Sequence, residues 1–427
     1  MKIFRYYNIK EKKALETYLK SGENANAAAL KTAGRIIAAV RRNGDKAVFS
    51  YCKIFDNFKA NKKNIKVKES EINTAFKNTP KSLISALKTA KLNIEKFHMR
   101  QKEKGFKISV SYGKLGMKVL PLKSAGLYIP GGKAVYPSSV LMNVIPAKIA
   151  GVARIILCTP ALNGKVDSAI LVAAKICGVN EIYKIGGAQA IAAMAYGTET
   201  VKPVDKITGP GNAYVSAAKQ LVFGKVGIDS LAGPSEVLIV AGNGDNPSYV
   251  AADMLAQSEH DEEARSILIT DSMAFAGKVM FYLFVQKPLL LREKIIARAI
   301  KNSFIVIVDK ISDAAAISNL VAPEHLELIA AKAVKEADTY TNAGAVFIGA
   351  HTPVALGDYI AGTNHVLPTN GAARYSSPLG VYDFVKRQTT AEVSKKGLSK
   401  LAGALKILAL TEGLEAHYKS VEKRLGK

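Results

Sequence analysis

The sequence of 427 residues has no tryptophan, three cysteines, six histidines and no long apolar run free of charge. Cys52, Cys158 and Cys177 are scattered, which excludes a disulfide framework and a CxxC metal site. The most apolar stretch, SVLMNVIPAKIAGVARIILC, is broken by Lys148 and Arg154 and is therefore no membrane span. The start, MKIFRYYNIKEKK, has no apolar h-region or cleavage pattern, so no signal peptide is expected and the protein is expected in the cytoplasm. Acidic residues are scarce: 35 stand against 60 basic ones, a net charge of +25. Such a charge suits nucleic acid, an anionic membrane surface or an acidic substrate. Lysine far outnumbers arginine, however, which disfavours bidentate phosphate or guanine recognition. The lysines are spread through Lys59–Lys107 and beyond without aromatic–basic alternation, so a lysine-rich surface explains the charge, with neither nucleic acid nor membrane as partner.

What is present is ordinary globular material, 48% hydrophobic and long enough for about two to four domains. The first third reads as polar helices, with Asn43-Gly44 marking a turn. SVSYGKLGMKVLP then gives short β-like runs broken by glycine. From about Ser124 strands alternate with helices: AGLYIPGG, VARIILCTP, EIYKIGGAQAIAAMAYG and VDKITGPGNAYVSAAKQLV. EVLIVAG, ARSILIT, FIVIV and AGAVFIG form a second series of strands. This alternation predicts two successive α/β units with doubly wound parallel sheets and ligands at the carboxyl ends of the strands. The tail after Gly380 reads as polar and helical.

Three glycine turns follow strands: Ile129-Pro-Gly131-Gly132, Ile185-Gly186-Gly187-Ala-Gln189 and Gly209-Pro-Gly211-Asn-Ala-Tyr214. The last is a defective dinucleotide fingerprint, with Tyr214 in place of the third glycine. Each turn can still present backbone N–H groups to a phosphate.

Polar residues in apolar context supply the candidate chemistry. In LAQSEHDEEA, Gln257 and His260 are three apart and share a face if the segment is helical. Either a solvated helix end or a ligand pair explains them. VAPEHLEL has the form of a helix start, with Pro323 at the first position and Glu324 in the first turn; the alternative is an acid–base pair of Glu324 and His325. ALGDYIAGTNHVLP places Asp358 and His365 in an expected loop, and TEGLEAH places Glu412 and His417 on an amphipathic tail helix. Five of the six histidines follow residue 259, and His260, His325, His365 and His417 each have a carboxylate in the same short segment. Such pairs suit metal ligation and proton transfer.

Along essentially its whole length the sequence resembles the histidinol dehydrogenase family. The segments that carry the resemblance are GLYIPGG, GGAQAIAAMAYGT, TGPGNAYV, AGPSEVL, AQSEHD, APEHLEL, GDYIAGTNHVLPT and EGLEAH, in the family's order. The resemblance implies zinc-dependent oxidation of L-histidinol to L-histidine through the aldehyde, with two NAD⁺ reduced, the last step of histidine biosynthesis. It implies one Zn²⁺ per subunit held by Gln257, His260, Asp358 and, from a partner chain, His417, the metal also taking the substrate's imidazole and amine nitrogens. It makes Glu324 and His325 the acid–base pair. Ser235, His365 and Glu412 match substrate-contacting positions, as do the metal ligands and His325; Tyr128, Gln189 and Asn212 match NAD-contacting ones. Ser258, where the family often has alanine, is the one neighbouring departure and is not a ligand.

The implied fold is two Rossmann-like doubly wound parallel-sheet domains with a helical N-terminal segment and a helical C-terminal tail. The expected divisions are an N-terminal segment 1–24, a larger α/β domain of 25–126 and 236–379, an inserted NAD-binding domain 127–235, and a tail 380–427 that crosses a homodimer to give shared active sites. Cys158, at a strand end, is expected to be structural, since Thr159 and Pro160 offer it no base. The rival readings are an NAD-dependent dehydrogenase of another amino alcohol, a zinc hydrolase and a lysine-rich nucleic-acid binder.

Overall fold

Apolar runs of four to six residues, separated by capped helices, build most of the molecule in the computed structural model, which describes residues 1–7, 9–20, 27–131, 135–231 and 233–426. Gly132 of the first glycine turn lies outside the described residues. The chain opens with β1 (Lys2–Arg5) and the helices α1 (Ile9–Lys20), α2 (Ala27–Asp56), α3 (Glu69–Asn78) and α4 (Lys81–His98). Next come β2 (Phe106–Val110), β3 (Gly113–Pro121), β4 (Ser124–Tyr128), α5 (Pro137–Ala150), β5 (Arg154–Thr159), α6 (Ser168–Ile176), β6 (Glu181–Lys184), α7 (Gly187–Tyr196), β7 (Lys206–Thr208), α8 (Ala213–Val222) and β8 (Gly227–Ile228). The second series is β9 (Glu236–Val240), α9 (Pro247–Ser258), β10 (Arg265–Thr270), α10 (Met273–Gln286), α11 (Glu293–Ala299), β11 (Phe304–Ile307), α12 (Ala314–Val321), β12 (His325–Leu328), α13 (Ala331–Lys335), β13 (Ala345–Ile348) and α14 (Val354–Tyr359). The tail holds β14 (Val385–Val393), α15 (Lys395–Thr411) and α16 (Glu415–Leu425).

These strands form two all-parallel sheets, β1-β11-β10-β9-β12-β13 and β6-β5-β4-β7-β8, and an antiparallel sheet β14-β3-β2. Both parallel sheets have helices on each face, which is why their central strands read as unbroken apolar runs. All five residues of β9 are buried, and each buried Val, Ile or Leu contributes about 2 kcal/mol of hydrophobic burial. Local signals set the helix starts. Asn246 accepts the Ser248 N–H and Pro247 takes the first position of α9, while Asn212 accepts the N–H groups of Tyr214 and Val215 at the start of α8.

The two doubly wound units agree with the sequence reading, and four features of the fold depart from it. VAPEHLEL starts a strand: α12 ends at Val321, Ala322 takes a left-handed φ of 49°, and His325–Leu328 slot between β9 and β13. Pairing on both edges outweighs the helix-start signal. The tail opens with β14, a nine-residue strand on β3, before its helices. The N-terminal segment contributes an edge strand, β1, ahead of its helix. At Gly44, with φ of 52° and ψ of −131°, α2 breaks into two helical stretches, where Asn43-Gly44 marks the expected turn. Finally, residues 25–126, expected with the larger unit, have α2 packed on α7 and α8, and α3 and α4 packed on α6 and α5. Their apolar faces belong to the cores of the five-stranded sheet.

Candidate active site

The residues with candidate chemistry collect at the amino ends of β9 and β12, where α9, running back against the strands, finishes. This corrects the expectation of carboxyl ends for the larger sheet. Gln257 lies in the last turn of α9 and is buried, and its Nε2 has no hydrogen-bond partner among the described residues. His260 follows directly, its N–H donating to the Gln257 carbonyl at 3.3 Å. Asp358 comes from α14, a short helix where a loop was expected, and His365 from the loop after it.

His325 is the centre of this group. Its Nδ1 is 3.1 Å from the Glu236 carbonyl oxygen, and its Nε2 is 3.5 Å from Asp358 Oδ1. A carbonyl only accepts, so Nδ1 carries the hydrogen there and Nε2 is left as the basic nitrogen of the neutral ring. The same Glu236 donates its backbone N–H to Glu324 Oε2 at 3.0 Å, and Glu324 Oε2 is 3.6 Å from His325 Nδ1. One peptide residue at the start of β9 thus holds both members of the pair. Glu236 itself is fixed by Arg265 and by the Asn370 N–H.

Burial and charge set the protonation states. Burial pushes the Glu324 carboxyl up to about 7, against the charge of His325. Burial works to lower His325, but the carboxylates of Glu324 and Asp358 outweigh it and push the imidazolium up to about 9. Burial opposes ionisation of Asp358, and His325, His365 and His260 together nevertheless hold it below its ordinary value. Burial brings both His260 and His365 below the usual histidine range. These side chains act on one another and form one electrostatic unit. Ser235, half-buried, immediately precedes β9, its carbonyl accepting the Arg265 N–H at 3.0 Å. His98, by contrast, is a satisfied core residue bonded to the Ile94 carbonyl at 2.8 Å.

Glu412 and His417 are not brought to this group within the chain. They sit exposed near the junction of α15 and α16, beside the exposed Ile407, Leu408, Leu410 and Leu414. Among the described residues no three His, Cys, Asp or Glu side chains close around a metal position.

The three glycine turns lie at the carboxyl ends of the five-stranded sheet, as expected. Tyr128 ends β4 and is buried, its hydroxyl accepting the Gly187 N–H at 3.0 Å. Gln189, in the first turn of α7, is buried with neither amide atom partnered among the described residues. Asn212 is exposed and caps α8. The helix that follows the first turn, α5, brings Ser139 Oγ to 3.1 Å from His365 Nε2, which links this sheet's ligand end to the histidine cluster. Cys158 is fully buried on β5 and its thiol is pushed up by burial, as suits a structural residue. Sequence reasoning missed Ser139 and Glu236. Glu236 was visible only as the neighbour of Ser235 in AGPSEVL; Ser139 gave no local signal.

A sheet with turns at its carboxyl ends, facing a buried histidine–carboxylate cluster on a second parallel sheet, defines a two-unit α/β enzyme of the dehydrogenase kind. The family model described as histidinol dehydrogenase matches residues 19–425. Histidinol dehydrogenase of Clostridium acetobutylicum is 48% identical over 402 residues, 93% of each chain, and that of Agrobacterium fabrum 47% identical over 418 residues, 96% of this chain and 95% of the relative. The crystal structure of histidinol dehydrogenase from Elizabethkingia anophelis superposes with a TM-score of 0.93 at 38% identity, covering 100% of this chain and 98% of the other. The chain belongs to the histidinol dehydrogenase family, NAD-dependent oxidoreductases of histidine biosynthesis. Among the described residues no helix is long and apolar enough to cross a membrane.

Proposed function

We propose that the cluster at the amino ends of β9 and β12 oxidises L-histidinol to L-histidine in two hydride transfers, at a zinc-assisted site completed by a partner subunit. The observation that carries this reading is the double hold of Glu236 on Glu324 and His325, which aims a basic Nε2 into a buried polar group. The donor set suits zinc. Gln257 has a buried amide without a partner on its nitrogen, His260 is held neutral by burial, and Asp358 is held anionic by its histidine neighbours. With His417 of the partner subunit these make four protein ligands. When bound, the metal supplies a fixed positive charge that anchors the substrate's imidazole and amine nitrogens.

The chain's own residues then move protons. His325 Nε2 takes the carbinol hydroxyl proton as the hydride leaves carbon, giving the aldehyde. Glu324, made a stronger base by the burial that raises it to about 7, takes in its ionised form a proton from water as that water adds to the aldehyde carbon, while the protonated His325 returns its proton to the aldehyde oxygen. The hydrate is again a carbinol, so His325 serves a second time and the acid results. Tyr128, Gln189 and Asn212 would orient the dinucleotide, one NAD⁺ being consumed for each of the two hydrides; the orphaned amide of Gln189 is the buried group that most needs such a ligand. Ser235, His365 and, from the partner, Glu412 contact the substrate. The three buried free cysteines accord with a cytoplasmic setting.

Exhaustive chelation should abolish activity and added zinc should restore it. Full activity in protein shown by metal analysis to be zinc-free refutes the metal half of the reading.

A further inference from the structure

Two carboxyl groups behind the cluster belong neither to the acid–base pair nor to the ligand set. Glu327 is buried on β12 two residues after His325, so strand alternation turns both side chains to one face. Its Oε1 accepts the Val354 N–H at 2.7 Å, the first amide of α14, the helix that carries Asp358. Its Oε2 is buried without a geometrically formed hydrogen bond among the described residues, and its carboxyl interacts with that of Asp253 on α9. Asp253 stands one turn before Gln257 and shares its helix face. The pair therefore connects the strand of His325, the helix of Gln257 and the helix of Asp358.

Two interacting carboxyls, Glu327 buried and Asp253 half-buried, favour one proton between them, because adjacent anions with little water to screen them repel. Burial and the charge of Asp253 push Glu327 up to about 8, and burial pushes Asp253 up to about 6. The other charged group acting on Glu327 is His325 of its own strand. The neighbouring strands β9 and β13 set Ile239 and Phe347 opposite it, and neither titrates.

We infer that Asp253 and Glu327 are positioning residues, joined carboxyl to carboxylate so that α9 and α14 keep a fixed spacing on β12 and Gln257 and His260 stand at the right separation from Asp358 for a divalent metal. The inference rests on the zinc reading above. Glu327→Gln keeps an acceptor for the Val354 N–H and gives Asp253 a permanent N–H donor, whereas Glu327→Ala removes both.

Zinc affinity of the purified enzyme, measured by competition with a chromophoric chelator at pH 7 and pH 9, tests it. At pH 7 Glu327→Ala should bind zinc about tenfold more weakly or worse, the cost typical of losing a residue that orients ligands, and Glu327→Gln should stay close to wild type. At pH 9, above the value of about 8 for Glu327, the wild-type pair has lost its shared proton, and Glu327→Gln should bind zinc more tightly than wild type. A merely structural role would lower the thermal midpoint of Glu327→Ala without giving the glutamine variant that advantage. If Glu327→Ala does not fold, Glu327→Gln and Asp253→Asn carry the test, since both retain a hydrogen bond between the two side chains. Equal zinc affinity in every variant, or parallel wild-type and Glu327→Gln values at both pH values, overturns the inference. A wild-type protein that takes up no zinc refutes the metal reading itself, a result distinct from uptake indifferent to Glu327.

Discussion

Ser139 Oγ lies 3.1 Å from His365 Nε2, and the other nitrogen of that ring, Nδ1, lies 2.8 Å from the Asp358 carbonyl oxygen. The hydrogen therefore sits on Nδ1, and Nε2 accepts from the serine hydroxyl. Ser139 belongs to α5, which follows the first glycine turn of the five-stranded sheet, while Asp358 and His365 follow the last strand of the six-stranded sheet. This contact ties the five-stranded sheet to the histidine–carboxylate cluster and fixes the orientation of the His365 ring.

Ser139→Ala should raise the KM for histidinol up to about tenfold, the value of one net hydrogen bond, and change kcat less. Steady-state kinetics against histidinol at saturating NAD measure both constants. A loss confined to kcat contradicts a role in holding substrate through His365.

The pH dependence follows from the carboxylates around His325. A base works in its neutral form, and the carboxylates of Glu324 and Asp358 hold His325 protonated up to about 9 in the metal-free cluster. Removing the Glu324 charge with Glu324→Gln should move the rising limb of the rate of the first oxidation to lower pH. Stability moves in the corresponding sense. The folded value of about 9 stands above the ordinary 6.5, so the contribution of His325 is complete below 6.5 and lost as the pH rises through about 9. Thermal melts of the metal-free protein should show that decline in wild type and less of it in His325→Gln. Superimposable pH profiles for wild type and the Glu324 variant contradict this account.

Cys158→Ala should retain both oxidations at rates close to wild type, because the thiol is buried and raised and its neighbours supply no base. Loss of the second oxidation alone, with aldehyde accumulating, points to a thiohemiacetal at Cys158 instead.

Much of this organisation is legible in the sequence. The strand–helix alternation and the three turns follow from apolar runs, glycines and capping residues that act locally, and they lie where expected. VAPEHLEL misleads because Pro323 and Glu324 have the local form of a helix start, whereas β9 and β13, distant in sequence, make the segment a strand. The position of the cluster at amino ends is equally non-local: it depends on α9 returning Gln257 and His260 to the start of β9. Glu236 acts through its backbone, which no side-chain pattern reveals, and β14 is specified by its partner β3.

His417 stands on α16 and Glu412, expected on a tail helix, in the turn before it; both are exposed and apart from Gln257, His260 and Asp358 of their own chain. If the tail crosses to a two-fold partner, His260→Ala and His417→Ala should each be inactive as homodimers. A mixed dimer has one site with both defects and one with neither. Co-refolding equal amounts should recover about a quarter of wild-type activity, half the dimers being mixed. Mass-spectrometrically verified mixed dimers without activity place His417 in its own chain's site.

Glu324 stands beside His325 under a common hold from Glu236, and in the proposed reaction this one acid–base pair performs two successive oxidations without releasing the aldehyde. The yield of NADH from limiting histidinol, read by absorbance alongside an aldehyde trap, measures this directly. The account predicts two NADH per histidinol and no trapped aldehyde. One NADH per histidinol, with the aldehyde recovered in the trap, contradicts it.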